Sequence, residues 1–155
     1  MFETVVWATD GSAAADRALP FAKRVVAPNG RLVVVHVREL LVGRAGGQPV
    51  YADSDEIEAR IRGQVEELRN EGFDVTLKFH TTFDVNAARA IAREANAFGA
   101  GAIVVGTRGH SPLASVVLGS VTQSLLHAAG CPVLAVPPGA VDPAVDEPVC
   151  VAAGV

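Results

Sequence analysis

Val, Ala, Leu and Ile gather into short runs along this chain, and the segments between the runs repeat their apolar positions every three or four residues. The runs are Thr4–Ala8 (TVVWA), Arg31–Val37 (RLVVVHV), Val75–His80 (VTLKFH), Ala102–Val105 (AIVV) and Pro132–Val136 (PVLAV). The third alternates and predicts a half-exposed strand. Runs rich in Val and Ile without alternation predict strands covered on both faces.

Helical spacing fills the gaps. Ser12–Val26 places Ala15, Ala18, Leu19, Ala22 and Val25 on one stripe behind Ser12, a good N-cap. Pro20 falls well inside that helix and is expected to kink it or force local rearrangement. Asn29-Gly30 predicts the turn into the second strand. After the loop Gly43–Asp53, a charged helix over Ser54–Asn70 closes at Gly72. Asn86–Phe98 carries the stripe Ala87, Ile91, Ala95 and Phe98, and Ser120–Ala129 stops at Gly130 and Pro132. Strands alternating with helices predict an α/β fold: a doubly wound, five-stranded parallel sheet with right-handed crossovers and helices on both faces. Residues 1–138 read as one domain. Residues 139–155, with Pro143 and Pro148 and no periodicity, read as a loosely packed tail.

Composition narrows the function. The 155 residues are 50% apolar and 19% charged, the balance of a soluble domain with a real core. A net charge of −4 argues against nucleic acid, whose affinity comes from basic surface. With 5% aromatics, scattered, there is no stacking platform for bases. The opening MFETVVWATDGS carries no secretory pattern and no apolar run approaches a membrane span, so cytoplasmic residence away from membranes is expected. Cys131 and Cys150 are too few for a disulfide scaffold.

The chemistry concentrates in Ala102–Leu126, AIVVGTRGHSPLASVVLGSVTQSLL. A buried strand ends at Gly106, Gly109 follows, and Gly119-Ser120 opens a helix. That is a backbone shaped to hold an anion: amides approach where no Cβ stands, and a helix N-terminus adds unpaired donors and its positive dipole end. It is not a P-loop, since G-x-x-x-x-G-K-[ST] and a nearby lysine are missing, nor a dinucleotide fingerprint, since no G-x-G-x-x-G follows the first strand. In an open α/β sheet the ligand sits beyond the strand carboxyl ends where strand order reverses, so the Gly106–Gly109 loop should meet Thr9-Asp10-Gly11-Ser12. Asp10 could accept from ribose hydroxyls or help hold a metal; Asp10 and Ser12 could equally cap the first helix.

Gly106, Gly109, Gly119 and Ser120, with His110–Leu118 between, fit G-x-x-G, nine residues, G-[ST]. With VVWATDGS, RLVVVHV and LLHAAGCPVLAVP, they make the chain resemble the nucleotide-binding members of the universal stress protein family over residues 2–137. The resemblance implies the adenine nucleotide alpha hydrolase-like fold, sheet order 3-2-1-4-5, and an ATP site with Mg2+ accompanying the triphosphate. In that site Asp10 lies near ribose and phosphates, and Val37 offers its backbone to the adenine edge. Gly106, Gly109, Gly119 and Ser120 wrap ribose and phosphates, with Thr9, Val105 and Val121 as secondary contacts. The chain departs from the family pattern at three places: Pro20, Phe83-Asp84 in place of a glycine-bearing turn, and Gly101 in place of an acidic residue.

Other candidates weigh less. Arg108 is the cation of the glycine loop, either reaching a phosphate or solvated. His36, His80, His110 and His127 lack metal-ligand spacing, so no protein metal site is expected, and no serine has an elbow or base for nucleophilic catalysis. Cys131 is expected to be a buried small hydrophobe and Cys150 a tail thiol. Asp53, Asp55, Glu56, Glu58, Glu66 and Glu67 are expected on a solvated helix face. No catalytic residue is assigned, because fast phosphoryl transfer needs positioned cations and a group orienting the nucleophile. The expected function is an ATP-binding stress or regulatory protein in which nucleotide is a signal. The alternatives are a slow ATPase or phosphotransferase, and a nucleotide-free interaction module. Pro132–Val136, an apolar edge strand in the implied order, is expected to pair with its copy in a homodimer.

Overall fold

All five apolar runs form strands and all four periodic segments form helices. The computed structural model describes residues 1–41, 50–51, 55–82, 87–107 and 118–141. The order is β1 (Phe2–Ala8), α1 (Ala13–Val25), β2 (Val26–Leu41), β3 (Val50–Tyr51), α2 (Asp55–Asn70), β4 (Asp74–Thr82), α3 (Ala87–Ala97), β5 (Ala102–Gly106), α4 (Ser120–Ala128) and β6 (Val133–Val136). The main sheet runs β4-β2-β1-β5-β6, every pair parallel. This is the expected five-stranded 3-2-1-4-5 order. The short β3 is an addition, pairing antiparallel with the far end of β2 through Leu40↔Tyr51 and Leu41↔Val50.

Burial explains the unbroken Val runs. Val5, Trp7, Leu32, Val34 and Val104 pack under α1 and α2 with Ala18, Ala22, Ile61, Val65 and Leu68. On the other face, Val6, Val33, Val35, Ile103 and Val105 pack under α3 and α4 with Ala88, Ile91, Ala95 and Leu125. Alternate side chains of one strand thus enter two cores, and neither face is left for water. The edge strand β4 is mostly half-buried, as its alternation predicted.

Two local features differ from expectation. The Asn29-Gly30 turn exists, with Asn29 at φ 63°, but as an irregularity inside β2 rather than before it. Pairing with β1 passes from Phe2↔Val26 directly to Thr4↔Arg31, so the ladder resumes on both sides of the extra residues. Helix α1 continues through Pro20 to Val25, its face held to the sheet by buried Ala15, Ala18 and Ala22. Trp7, wholly buried in β1, also ties the two elements together: its indole N–H donates to the Ala15 carbonyl at 3.1 Å.

Gly101 has a packing reason. A Cβ there would fall 2.5 Å from Cδ1 of Phe2, and its N–H donates to the Thr4 carbonyl at 2.9 Å. Any side chain at this position has to displace the Phe2 ring.

Candidate functional site

Strand order reverses between β1 and β5, where chain segments leave the sheet toward opposite faces: α1 after β1, α4 after β5. The register Ala8↔Val105 sets Thr9 and Gly106 side by side at the carboxyl ends.

The turn after β1 is closed by its own side chains. Ser12 caps α1, accepting from the Ala15 N–H at 3.2 Å. The Ser12 N–H donates to Asp10 Oδ1 at 3.0 Å, and the Gly11 N–H to Thr9 Oγ1 at 3.1 Å. Thr9 is anchored to β2 as well: its N–H donates to the Val35 carbonyl at 3.0 Å, and its carbonyl lies 2.8 Å from Nδ1 of buried His36. Gly11 adopts φ +74°, and a Cβ there would sit 2.6 Å from Cγ2 of Ile57 on α2. The capping roles of Asp10 and Ser12 are thus realised, and the Gly11 and Ser12 amides are committed within the turn.

The start of α4 lies beside the end of β5. Its N-cap, Gly119, has no side-chain oxygen and makes no side-chain cap, so among the described residues the first turn keeps amides for another acceptor. The Gly119 N–H donates to the Thr107 carbonyl at 2.6 Å, and the Thr122 hydroxyl to the Gly106 carbonyl at 3.0 Å. These two bonds fix the helix start against the end of β5. Gly106 itself is glycine for packing: a Cβ would come 2.6 Å from the Ala14 carbonyl oxygen. α1 therefore crosses directly over the strand end. Thr107 is 7% exposed, and its Oγ1 has no hydrogen-bond partner among the described residues.

Of the expected site residues, Thr9, Asp10, Val105, Gly106, Gly119, Ser120 and Val121 gather at this end of the sheet. Val37 joins them from β2, two residues past the Val35 carbonyl that holds Thr9. Arg108 and Gly109 lie outside the described residues, as do His110, Asp53, Phe83-Asp84 and Cys150.

Sequence reasoning missed the basic side chains on α2. Arg60 donates through Nη1 to the Gly11 carbonyl at 2.8 Å and pairs through Nη2 with Asp16, which also accepts from Gln64 Nε2 at 2.9 Å. Glu58, expected to be solvated, is half-buried and pairs with Arg38. Asp55, Glu56, Glu66 and Glu67 are exposed as expected. His80 pairs with Glu94 at 2.9 Å and His127 is exposed. Cys131 is half-buried against the α3–α4 core, and that burial pushes its thiol pKa up. Among the described residues, no group of three His, Cys, Asp or Glu could hold a metal by itself, and no helix is long and apolar enough to cross a membrane.

The strand order and the helices on both faces define a doubly wound α/β protein, with its switch point beyond the carboxyl ends of β1 and β5. The universal stress protein family pattern matches residues 1–137, and the chain belongs to that family. A universal stress protein of Thermus aquaticus, from the QAH/OAS sulfhydrylase 3′ region, is 34% identical over 140 residues, covering 88% of this chain and 99% of its own. Among solved structures, a universal stress protein from Archaeoglobus fulgidus shares 30% identity at a TM-score of 0.58, over 85% of this chain and 96% of its own. Another, solved in complex with cAMP, shares 25% identity at a TM-score of 0.62, over 87% of this chain and 97% of its own.

Proposed function

We propose that this protein binds ATP at the switch point and uses the bound nucleotide as a regulatory signal in the cytoplasm. The observation that carries the reading is the start of α4: a glycine N-cap without a side-chain acceptor, fastened beside the end of β5, the strand next to β1 and its Asp10 turn. An anion placed there meets first-turn amides with no acceptor among the described residues, and the positive end of the helix dipole. Gly119, Ser120 and Val121 would hold phosphates, with Arg108 and Gly109 of the intervening loop. Asp10, Thr9 and Gly106 would border the ribose, and Val105 and Val37 the base. The relative solved with cAMP supports an adenine-bearing ligand.

Magnesium fits this arrangement through the nucleotide. The ion is commonly held by one or two carboxylates together with substrate phosphates, and Asp10 is the carboxylate on the β1 turn. When bound it would neutralise phosphate charge.

Storage rather than turnover is favoured by the state of Arg60. This cation, from the helix over the turn, is committed to the Gly11 carbonyl and Asp16, not poised for a transferring phosphoryl group. The homodimer rests on β6, whose outer edge has no strand partner among the described residues and exposes Leu134. A thermal-shift titration with ATP and magnesium tests the central claim: stabilisation saturating at millimolar nucleotide is expected, and no shift would overturn it.

A further inference from the structure

Thr107 stands where β5 gives way to α4, and its hydroxyl is an anomaly. The residue is 7% exposed, yet Oγ1 has no hydrogen-bond partner among the described residues. A buried hydroxyl left unpaired costs stability and calls for an explanation. Its backbone, by contrast, is fully used: the N–H donates to the Val136 carbonyl at 2.9 Å and the carbonyl accepts from Gly119 at 2.6 Å. The peptide is therefore locked in place, and the hydroxyl is the group of this residue left without a partner among the described residues.

Alternation along the strand gives its direction. Val105 enters the α3–α4 core, while the bare face of Gly106 meets Ala14 of α1. Thr107 therefore turns back to the α4 side, where the uncapped first turn of this nine-residue helix begins. An unsatisfied donor and an unsatisfied helix terminus thus share one place. A single acceptor-rich group would satisfy both.

Resting on the nucleotide reading above, we infer that the Thr107 hydroxyl donates a hydrogen bond to a phosphate oxygen of the bound nucleotide at the N-terminus of α4. Phosphate suits the position because it only accepts, carries several oxygens and favours the helix dipole. Thr107 is then a binding residue whose cost in the free protein is recovered on binding.

The experiment compares wild type, Thr107→Val and Thr107→Ser, each by thermal melting without ligand and by calorimetric titration with ATP and with adenosine. Valine keeps the shape and removes the donor. The ligand-free Thr107→Val protein is expected to melt no lower than wild type, because it loses only an unpaired hydroxyl. Its ATP affinity is expected to fall about tenfold or more, as for a lost hydrogen bond to a charged group, while Thr107→Ser stays within about threefold of wild type. Adenosine should bind all three equally. A marked fall in the ligand-free melting temperature of Thr107→Val would show that the hydroxyl is already bonded, and would overturn the inference. So would ATP affinity in Thr107→Val equal to wild type, or an adenosine loss as large as the ATP loss. If wild type binds no adenine nucleotide, the underlying reading fails and takes the inference with it; if wild type binds and valine changes nothing, only the Thr107 assignment fails.

Discussion

Arg60 donates to the carbonyl oxygen of Gly11 at 2.8 Å, from a helix 49 residues further along the chain. Gly11 needs its left-handed conformation to make the turn, and Ile57 of the same helix fills the space beside it. The turn after β1 is thus shaped by β1 but clamped by α2. Because Arg60 is about half exposed, its pairing with Asp16 adds only a little stability, within about 1 kcal/mol. Arg60→Met is therefore expected to leave the melting temperature nearly unchanged while speeding amide exchange across residues 9–12. Hydrogen-exchange mass spectrometry on peptides covering the turn checks this; unchanged exchange would show that the turn holds its shape without α2.

Two glycines of one motif should respond in opposite ways. Gly106→Ala places a methyl 2.6 Å from a backbone oxygen of α1 that cannot swing aside. The expected cost is about 1–3 kcal/mol, read by urea denaturation. Gly119, at φ −64° and ψ 152°, has a backbone any residue adopts. Gly119→Val should keep most of the stability and lose most of the ATP affinity, because its side chain would occupy the phosphate path. Equal effects in both assays would show that the motif is not divided between packing and binding.

These positions also show what could be read beforehand. The Ser12 cap, the alanine stripe of α1 and the unalternating Val runs are local patterns with local causes, so strands and helices were legible from them, whereas the sheet order came from the family resemblance. Gly106 was legible as a glycine that mattered, but its reason lies in Ala14, 92 positions away in sequence. Arg60 looked like one charge among many on a solvated helix, and Glu58 like another. Their partners, the Gly11 carbonyl and Arg38, become neighbours only when α2 docks. Thr107 filled a variable slot of the motif, and nothing in the linear chain distinguishes a satisfied threonine from an orphaned one.

Phe2 and Gly101 form a testable pair. Gly101→Asp should destabilise the protein, since its Cβ collides with the Phe2 ring, whereas the double variant with Phe2→Ala should lose much less than the sum. A double-mutant cycle by chemical denaturation reads the coupling, expected at about 0.5–3 kcal/mol for groups in contact. Additive losses would mean that the ring does not decide the residue at 101.

His36 makes a prediction about a proton. A carbonyl oxygen only accepts, so Nδ1, 2.8 Å from the Thr9 carbonyl, must carry the hydrogen. Nitrogen-15 NMR of the imidazole should show the Nδ1–H tautomer for the neutral ring. His36→Leu should cost about 1–3 kcal/mol by stranding a buried carbonyl; a smaller loss would mean that Thr9 finds another donor.

Leu134, exposed on β6 at the sheet edge, tests the assembly. Light scattering at micromolar concentration should give a dimer for wild type and a monomer for Leu134→Lys, since a lysine on an edge strand opposes pairing. A monomeric wild type would remove the dimer.

Trp7 is the single tryptophan of the chain. It is wholly buried, with its indole N–H on the Ala15 carbonyl, so it spans the turn at residues 9–12 from beneath. The molecule therefore carries its own optical gauge. Any ligand that shifts the turn against β1 will alter the polarity or hydrogen bonding around one indole, and its emission can be followed in unlabelled protein against no background from a second tryptophan.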